Sequence, residues 1–90
     1  MYELVKKILD EAKESNVDIS VAYDYVAKDI GYTAKLKEAQ KFLREKYEVI
    51  TALRRKGHET DIKVICDMKE AGNAEGVRNY IDDLKNRGIV

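Results

Sequence analysis

The chain has 90 residues and a mass of 10.3 kDa, a length that predicts a single domain spanning residues 1–90. Hydrophobic residues make up 44% of the sequence and charged residues 38%, which excludes an intrinsically disordered tail. The basic and acidic residues, 17 of each, cancel, so the net charge alone indicates no polyanionic partner.

The cellular location is read from cysteine use and from the N-terminus. Cys66 is the single cysteine, which excludes an intrachain disulfide and favours a reducing compartment. The N-terminal residues include Glu3, Lys6 and Lys7 and enter no apolar stretch of signal-peptide length. No window approaches the ~20 apolar residues that a membrane span requires. We therefore expect a cytoplasmic protein that does not interact with membranes.

Apolar residues recur at helical spacing, no proline interrupts them, and glycines stand where helices are expected to end. This pattern predicts an all-α fold, a compact bundle of about five helices. The first helix is expected to carry an apolar stripe from Leu4 to Ala12. The second is capped by Asp18 or Ser20 and ends at Gly31, and the third, a long helix, is capped by Thr33 and ends at Gly57. The fourth is capped by Thr60 and ends at Gly72, and the fifth is capped by Asn73 and ends at Gly88.

Two segments of this pattern need an interpretation. The β-branched residues between Ile62 and Ile65 favour a strand, but no other strand is available to pair with them, so we expect a helix. In the fifth helix, Val77, Ile81 and Leu84 are expected to face inward.

Charge is distributed unevenly along the chain. Residues 1–33 carry a net charge of −3, residues 34–58 one of +5, and residues 59–90 one of −2. A basic segment inside a neutral chain is a recognised sign of a polyanion-binding element. The alternative is a solvated helix face whose basic end, Arg54 to Lys56, is favoured at a helix C-terminus by the macrodipole.

Metal sites and enzyme chemistry find little support in the sequence. Zinc requires three or four close ligands, and the chain offers only His58 and Cys66, on either side of an expected turn. Adjacent carboxylates, such as Asp82 and Asp83, point to different sides of a helix and cannot share a proton. No glycine-rich phosphate loop is present. We therefore expect no metal, no cofactor and no catalytic residues, hence a protein that is not an enzyme.

The segment from Asp24 to Thr33 carries a recognisable spacing. Ala27 supplies a small residue where two helices would touch, Gly31 follows four residues later for a turn, and Thr33 can cap the next helix. Val26, Ile30 and Tyr32 are the flanking hydrophobic residues. This segment resembles the first half of the helix-turn-helix of bacterial transcription regulators, particularly AraC-type ones. The resemblance implies that the preceding helix, from Leu4 to Ala12, packs behind the unit.

The resemblance weakens after the turn and covers less than half of the chain. Such regulators place a β-branched residue or leucine six positions after the glycine, where this chain has Lys37. Residues Leu36 to Leu53 look like the connecting helix of those regulators, which implies a recognition helix that is skipped or merged into it. Residues Val77 to Val90 are similar to the recognition helix of winged-helix regulators. With Ala71 and Gly72, they also look like a helical hairpin of pentatricopeptide-type repeats, and an ordinary amphipathic helix accounts for them as well.

Two functions follow as expectations. The first is a regulatory nucleic-acid-binding protein, with DNA as the expected ligand, that uses the basic central helix. Its candidate binding residues are Thr33, Lys35, Lys37, Lys41, Arg44, Arg54, Arg55 and Lys56. The alternative is a protein-interaction module, or a homodimer, that offers an apolar seam formed by Leu36, Leu43 and Ile50 to another helix. Closed ion pairs of the lysines with Glu38, Glu45 and Glu48 would count against nucleic-acid binding.

Overall fold

The computed structural model describes all 90 residues, which form six α-helices and no strand. The helices are α1 (Tyr2–Ser15), α2 (Ile19–Ile30), α3 (Ala34–Glu45), α4 (Tyr47–Arg55), α5 (Glu59–Glu70) and α6 (Ala74–Asn86). The all-α class is confirmed. The chain divides into two compact units, Met1–Glu45 and Lys46–Val90, each with three helices. This division shows where packing is concentrated, and the single-domain interpretation of residues 1–90 stays a prediction.

The number of helices corrects the sequence prediction of about five, because the expected long third helix is two helices. Lys46 separates α3 from α4 and leaves helical geometry, with φ −114° and ψ 28°. The near-heptad stripe of apolar residues requires an apolar side chain at position 46, between Leu43 and Ile50, and a lysine stands there instead. The helix therefore lacks a continuous apolar stripe at the point where it ends.

The break also removes the predicted docking seam. Leu36 and Leu43 are fully buried on α3, and Ile50 is fully buried on α4. These three side chains lie on two helices in two different units and are not exposed to a partner. The prediction that Leu36, Leu43 and Ile50 form an interaction surface is therefore wrong.

The first unit is a three-helix assembly in which each helix packs against the other two. Its core consists of the apolar faces of the three helices: Val5, Ile8, Leu9, Ala22, Tyr23, Val26, Ala27, Leu36, Ala39, Phe42 and Leu43. Burial of these side chains from water is the main stabilising contribution to such a small assembly.

Short polar residues begin the second and third helices, as expected. The Val21 N–H donates to Asp18 Oδ1 at 3.0 Å, and the Leu36 N–H donates to Thr33 Oγ1 at 3.1 Å. Gly31 ends α2 with φ +93° and ψ 158°, a conformation that is essentially restricted to glycine. The connection from α2 to α3 is therefore specified at both of its ends.

In the second unit, α5 packs against both α4 and α6. Its core is formed by Ile50, Leu53, Ile62, Ile65, Cys66, Val77, Ile81 and Leu84. The inward orientation of α6 and the helical conformation of Ile62 to Ile65 are both confirmed.

The N-termini of α5 and α6 differ in how well the sequence predicted them. The expected cap of α5 by Thr60 is wrong, because the helix begins at Glu59, after His58. Asn73 caps α6 as expected, accepting from the Gly76 N–H at 2.9 Å. A Cβ at Gly76 would lie 2.4 Å from Asn73 Nδ2, so glycine at this helical position leaves room for the cap.

None of the six helices is both long and apolar enough to cross a membrane.

Candidate nucleic-acid interface

Three basic side chains form a row on the outer face of α3. Lys37, Lys41 and Arg44 are four and three residues apart, so they lie next to one another along the helix. All three are exposed, whereas Leu36 and Leu43 on the same helix are fully buried. At about 100° per residue, the row lies on the side of α3 opposite its buried residues. We call Lys37, Lys41 and Arg44 the basic row.

The basic row forms no ion pair with the carboxylates of its own helix. No ion pair of the structure includes Lys37, Lys41 or Arg44, so the closed net with Glu38 and Glu45 does not form. An exposed, unpaired cation retains its attraction for an anionic ligand and has no structural contact to lose on binding. The three side chains of the row thus form an exposed positive surface without ion pairs.

The N-terminus of α3 adds to this positive surface. The other five helices each have a carboxylate at the N-cap or in the first turn, and α3 has none. Instead Lys35 lies exposed in its first turn. The helix macrodipole places partial positive charge at this end, and free N–H groups there bind anions. The Thr33 hydroxyl oxygen accepts from Leu36 N–H, so Thr33 has the role of helix cap.

The remaining three predicted site residues lie at the end of α4, in the second unit. Arg54 is partly buried, with its Nη1 3.9 Å from Glu59 Oε1. The Lys56 ammonium donates to the Ile89 carbonyl, and Arg55 is exposed. The structure therefore does not place Arg54, Arg55 and Lys56 on the helix that carries the basic row, and it gives Arg54 and Lys56 contacts within the second unit.

Tyr32 holds the connection between α2 and α3. Its hydroxyl donates to Asp24 Oδ1 at 3.2 Å, and its ring meets the Tyr23 ring edge-on, with centroids 5.7 Å apart. Partial desolvation and the hydrogen bond to Asp24 both raise the pKa of the Tyr32 hydroxyl. These contacts fasten the turn residue to α2 and thereby help to fix where α3 begins.

A polar cluster in the second unit was missed by the sequence analysis. Tyr80 on α6 donates its hydroxyl to Asp61 Oδ1 on α5, and His58 Nδ1 lies 3.0 Å from Asp61 Oδ2. The bond from Tyr80 lowers the pKa of Asp61, with smaller lowering contributions from His58 and Arg87, and the same bond raises the pKa of Tyr80. The spacing of His58 and Asp61 is a visible signal, but Tyr80 is remote in sequence.

This cluster is a structural contact between α5 and α6.

Cys66 is fully buried, and desolvation raises the pKa of its thiol to about 12, so a reactive thiolate does not form at neutral pH. No group of three or more metal-ligating side chains occurs in the structure.

Comparison with known proteins gives no assignment. No family model, no curated protein and no solved structure matches the chain. The resemblance of Asp24–Thr33 to helix-turn-helix regulators stays a prediction.

Proposed function

We propose that the chain is a small, non-enzymatic nucleic-acid-binding protein whose α3 contacts the phosphate backbone of duplex DNA. The observation that carries the proposal is the basic row. Lys37, Lys41 and Arg44 are exposed, unpaired and directed away from the core of their unit. A row of this kind can follow the regularly spaced charges of a nucleic-acid strand.

The arrangement of the first unit supports a helix-turn-helix-like role for α2 and α3. Three residues join the two helices, Gly31 ends the first and Thr33 caps the second. Helix α1 packs against both. In this proposal α3 takes the place of the recognition helix, as a separate helix rather than merged into a longer one. Leu36 fills the buried position, and Lys37 beside it faces outward.

The expected binding is electrostatic and tolerant of sequence. Lysine contacts to phosphate position a protein on DNA without reading bases. Neutralising about three phosphates gives a log–log salt dependence of roughly −3. A regulatory role and a cytoplasmic location belong to the same proposal.

The test is binding of fluorescently labelled random duplex DNA at about 50 mM salt, where phosphate contacts are strong. The Lys37→Glu/Lys41→Glu variant should lose binding while keeping the helical circular dichroism spectrum of the parent chain. The matched control is Lys63→Glu/Arg78→Glu, which changes the net charge equally at exposed positions on α5 and α6. We expect the control to keep most of the affinity.

Two outcomes would contradict the proposal. One is the absence of any binding of the parent chain to DNA or RNA at low salt. The other is an equal loss of affinity in both variants, which would mean that net charge alone, and not α3, accounts for the interaction. Preferential binding of RNA would retain α3 as the contact helix but exclude duplex DNA as the ligand.

A further inference from the structure

A groove with acidic walls lies between α1 and α2, apart from the basic row. It encloses about 170 Å³ and is lined by Lys7, Asp10, Glu11, Glu14, Val26, Asp29 and Ile30. Its apolar lining consists of Val26, which is buried, and Ile30, which is 44% exposed. Four carboxylates and one ammonium group complete the lining, so the groove suits a ligand with an aliphatic stem and a positive end. We call it the acidic groove.

Two of these carboxylates stand where helix electrostatics disfavour them. Glu14 and Asp29 lie in the last turns of α1 and α2, near the negative ends of the helix dipoles. Both side chains are exposed, and neither is part of an ion pair. Their charges therefore do not stabilise the unit that carries them, and they are available to a cation from outside.

We infer that the acidic groove binds the basic row of α3 from a second copy of the chain. The two surfaces are opposite in charge. They also match in length, because Lys37–Arg44 and the groove wall Lys7–Glu14 each span seven residue steps, roughly 10 Å of helix. Lysine stems would pack on Ile30 while their ammonium groups reach Glu14 and Asp29.

The occupant comes from another copy because of how α3 is placed. Within its own unit, α3 packs against α1 and α2 through its buried face, and the basic row points away from both. A chain therefore cannot fill its own groove with its own row. The basic row and the acidic groove can therefore pair only between two copies of the chain.

This contact joins two different surfaces, so it is a heterologous contact. Such contacts produce open head-to-tail chains or rings rather than a closed twofold dimer. The association is expected to weaken with salt, since the charges involved are exposed. Nucleic acid would compete for the same row, but the inference does not rest on the proposed function, because the association needs no nucleic acid.

Sedimentation velocity over a range of protein concentrations at about 50 mM salt tests the inference, since exposed charge pairs are least screened at low ionic strength. We expect concentration-dependent association of the parent chain. The variants Lys37→Glu/Lys41→Glu and Glu14→Lys/Asp29→Lys should each weaken it at least about tenfold through like-charge repulsion. An equimolar mixture of the two variants should associate again, because a reversed row then meets a reversed groove. The control Lys63→Glu/Arg78→Glu should associate like the parent.

The outcomes separate this inference from the proposed function. A parent chain that stays monomeric, or a mixture that does not recover association, overturns the groove contact. Binding to DNA by Glu14→Lys/Asp29→Lys should be retained or strengthened, whereas Lys37→Glu/Lys41→Glu should lose it. Failure of self-association with intact DNA binding therefore rejects the groove and leaves the proposed function standing.

Discussion

The two units share a plan and differ in how they use charge. Each has three helices, and every connection within a unit is three residues long. In the second unit, every helix has a carboxylate in its first turn and a cation in its last. The helices of the first unit also have a cation in the last turn, but α3 has no acidic residue at its start.

The same difference extends to polar contacts. Several polar groups of the second unit pair with one another: Tyr80 with Asp61, Arg54 with Glu59, Arg87 with Asp83, and Lys56 with the Ile89 carbonyl. The first unit leaves its basic row and two groove carboxylates without ion pairs. The contrast therefore lies in α3, which alone among the six helices has no carboxylate at its N-cap or in its first turn, and in the exposed charges that the first unit leaves unpaired. The unpaired charges of the first unit are therefore available to a ligand.

The largest expected effect is common to both units, because both depend on buried apolar side chains. Leu43→Ala in the first unit and Ile81→Ala in the second should each lower the free energy of unfolding by about 2–5 kcal/mol, through lost burial and a residual cavity. Urea denaturation monitored by circular dichroism measures this. Ile30→Ala, at a 44% exposed position, is the control and should cost far less. If either substitution lowered the free energy of unfolding by less than about 0.5 kcal/mol, the helix that carries that residue, α3 for Leu43 or α6 for Ile81, would be peripheral to its core.

A smaller effect should distinguish the second unit. Tyr80→Phe removes the donor to the Asp61 carboxylate. The expected cost is about 1–2 kcal/mol, because a hydrogen bond to a charged group contributes about 1.5–3 kcal/mol and solvent screens this part-buried pair. Because the pKa of Asp61 is lowered in the folded state, this contribution is present at neutral pH. It is lost as the pH falls through that lowered pKa, below the ordinary value of 3.8.

Urea unfolding of the parent and Tyr80→Phe at pH 7 and at acid pH checks both statements. The difference between the two chains should shrink in acid. Titration of Asp61 by NMR should show its pKa rising toward the ordinary value in the variant. Tyr25→Phe, at an exposed tyrosine, is the control and should leave stability unchanged. An equal cost of Tyr80→Phe at both pH values would locate its effect in packing rather than in the bond to Asp61.

Helix ends and caps were predictable where one residue type determines them. Asp18, Thr33 and Asn73 accept backbone N–H groups three residues ahead, a local contact that the sequence spacing already contains. The end of α2 at Gly31 follows from the positive φ that this glycine adopts. The α5 start was misplaced, because Thr60 has a favourable capping side chain but His58 occupies the cap position.

The remaining features depend on contacts that local spacing does not contain. The break falls at Lys46, the one polar position in an otherwise continuous heptad pattern, and the period alone favoured an unbroken helix. The bond from Tyr80 to Asp61 joins residues 19 apart and requires α5 and α6 to be packed. Of the candidate site, the row Lys37, Lys41 and Arg44 was predictable from helical spacing, whereas the acidic groove required the packing of α1 on α2.

The smallest expected effect has the opposite sign and applies to the first unit. Lys37→Glu places a carboxylate near the N-terminus of α3, where the macrodipole favours it, and four residues before Lys41, where it can form an ion pair. We therefore expect it to stabilise the chain by about 0.3–1 kcal/mol at low ionic strength while it weakens DNA binding. Thermal unfolding at low and high salt measures the gain, which should diminish as salt screens both interactions. The control is Lys41→Glu, in the middle of α3, which gains no such dipole contribution and introduces a carboxylate four residues before Glu45. If Lys37 is kept for binding, it lowers the stability of the chain, and its replacement by glutamate must raise that stability. A loss of stability in Lys37→Glu would mean instead that the lysine supports the fold, and binding would then not explain the lysine at this position.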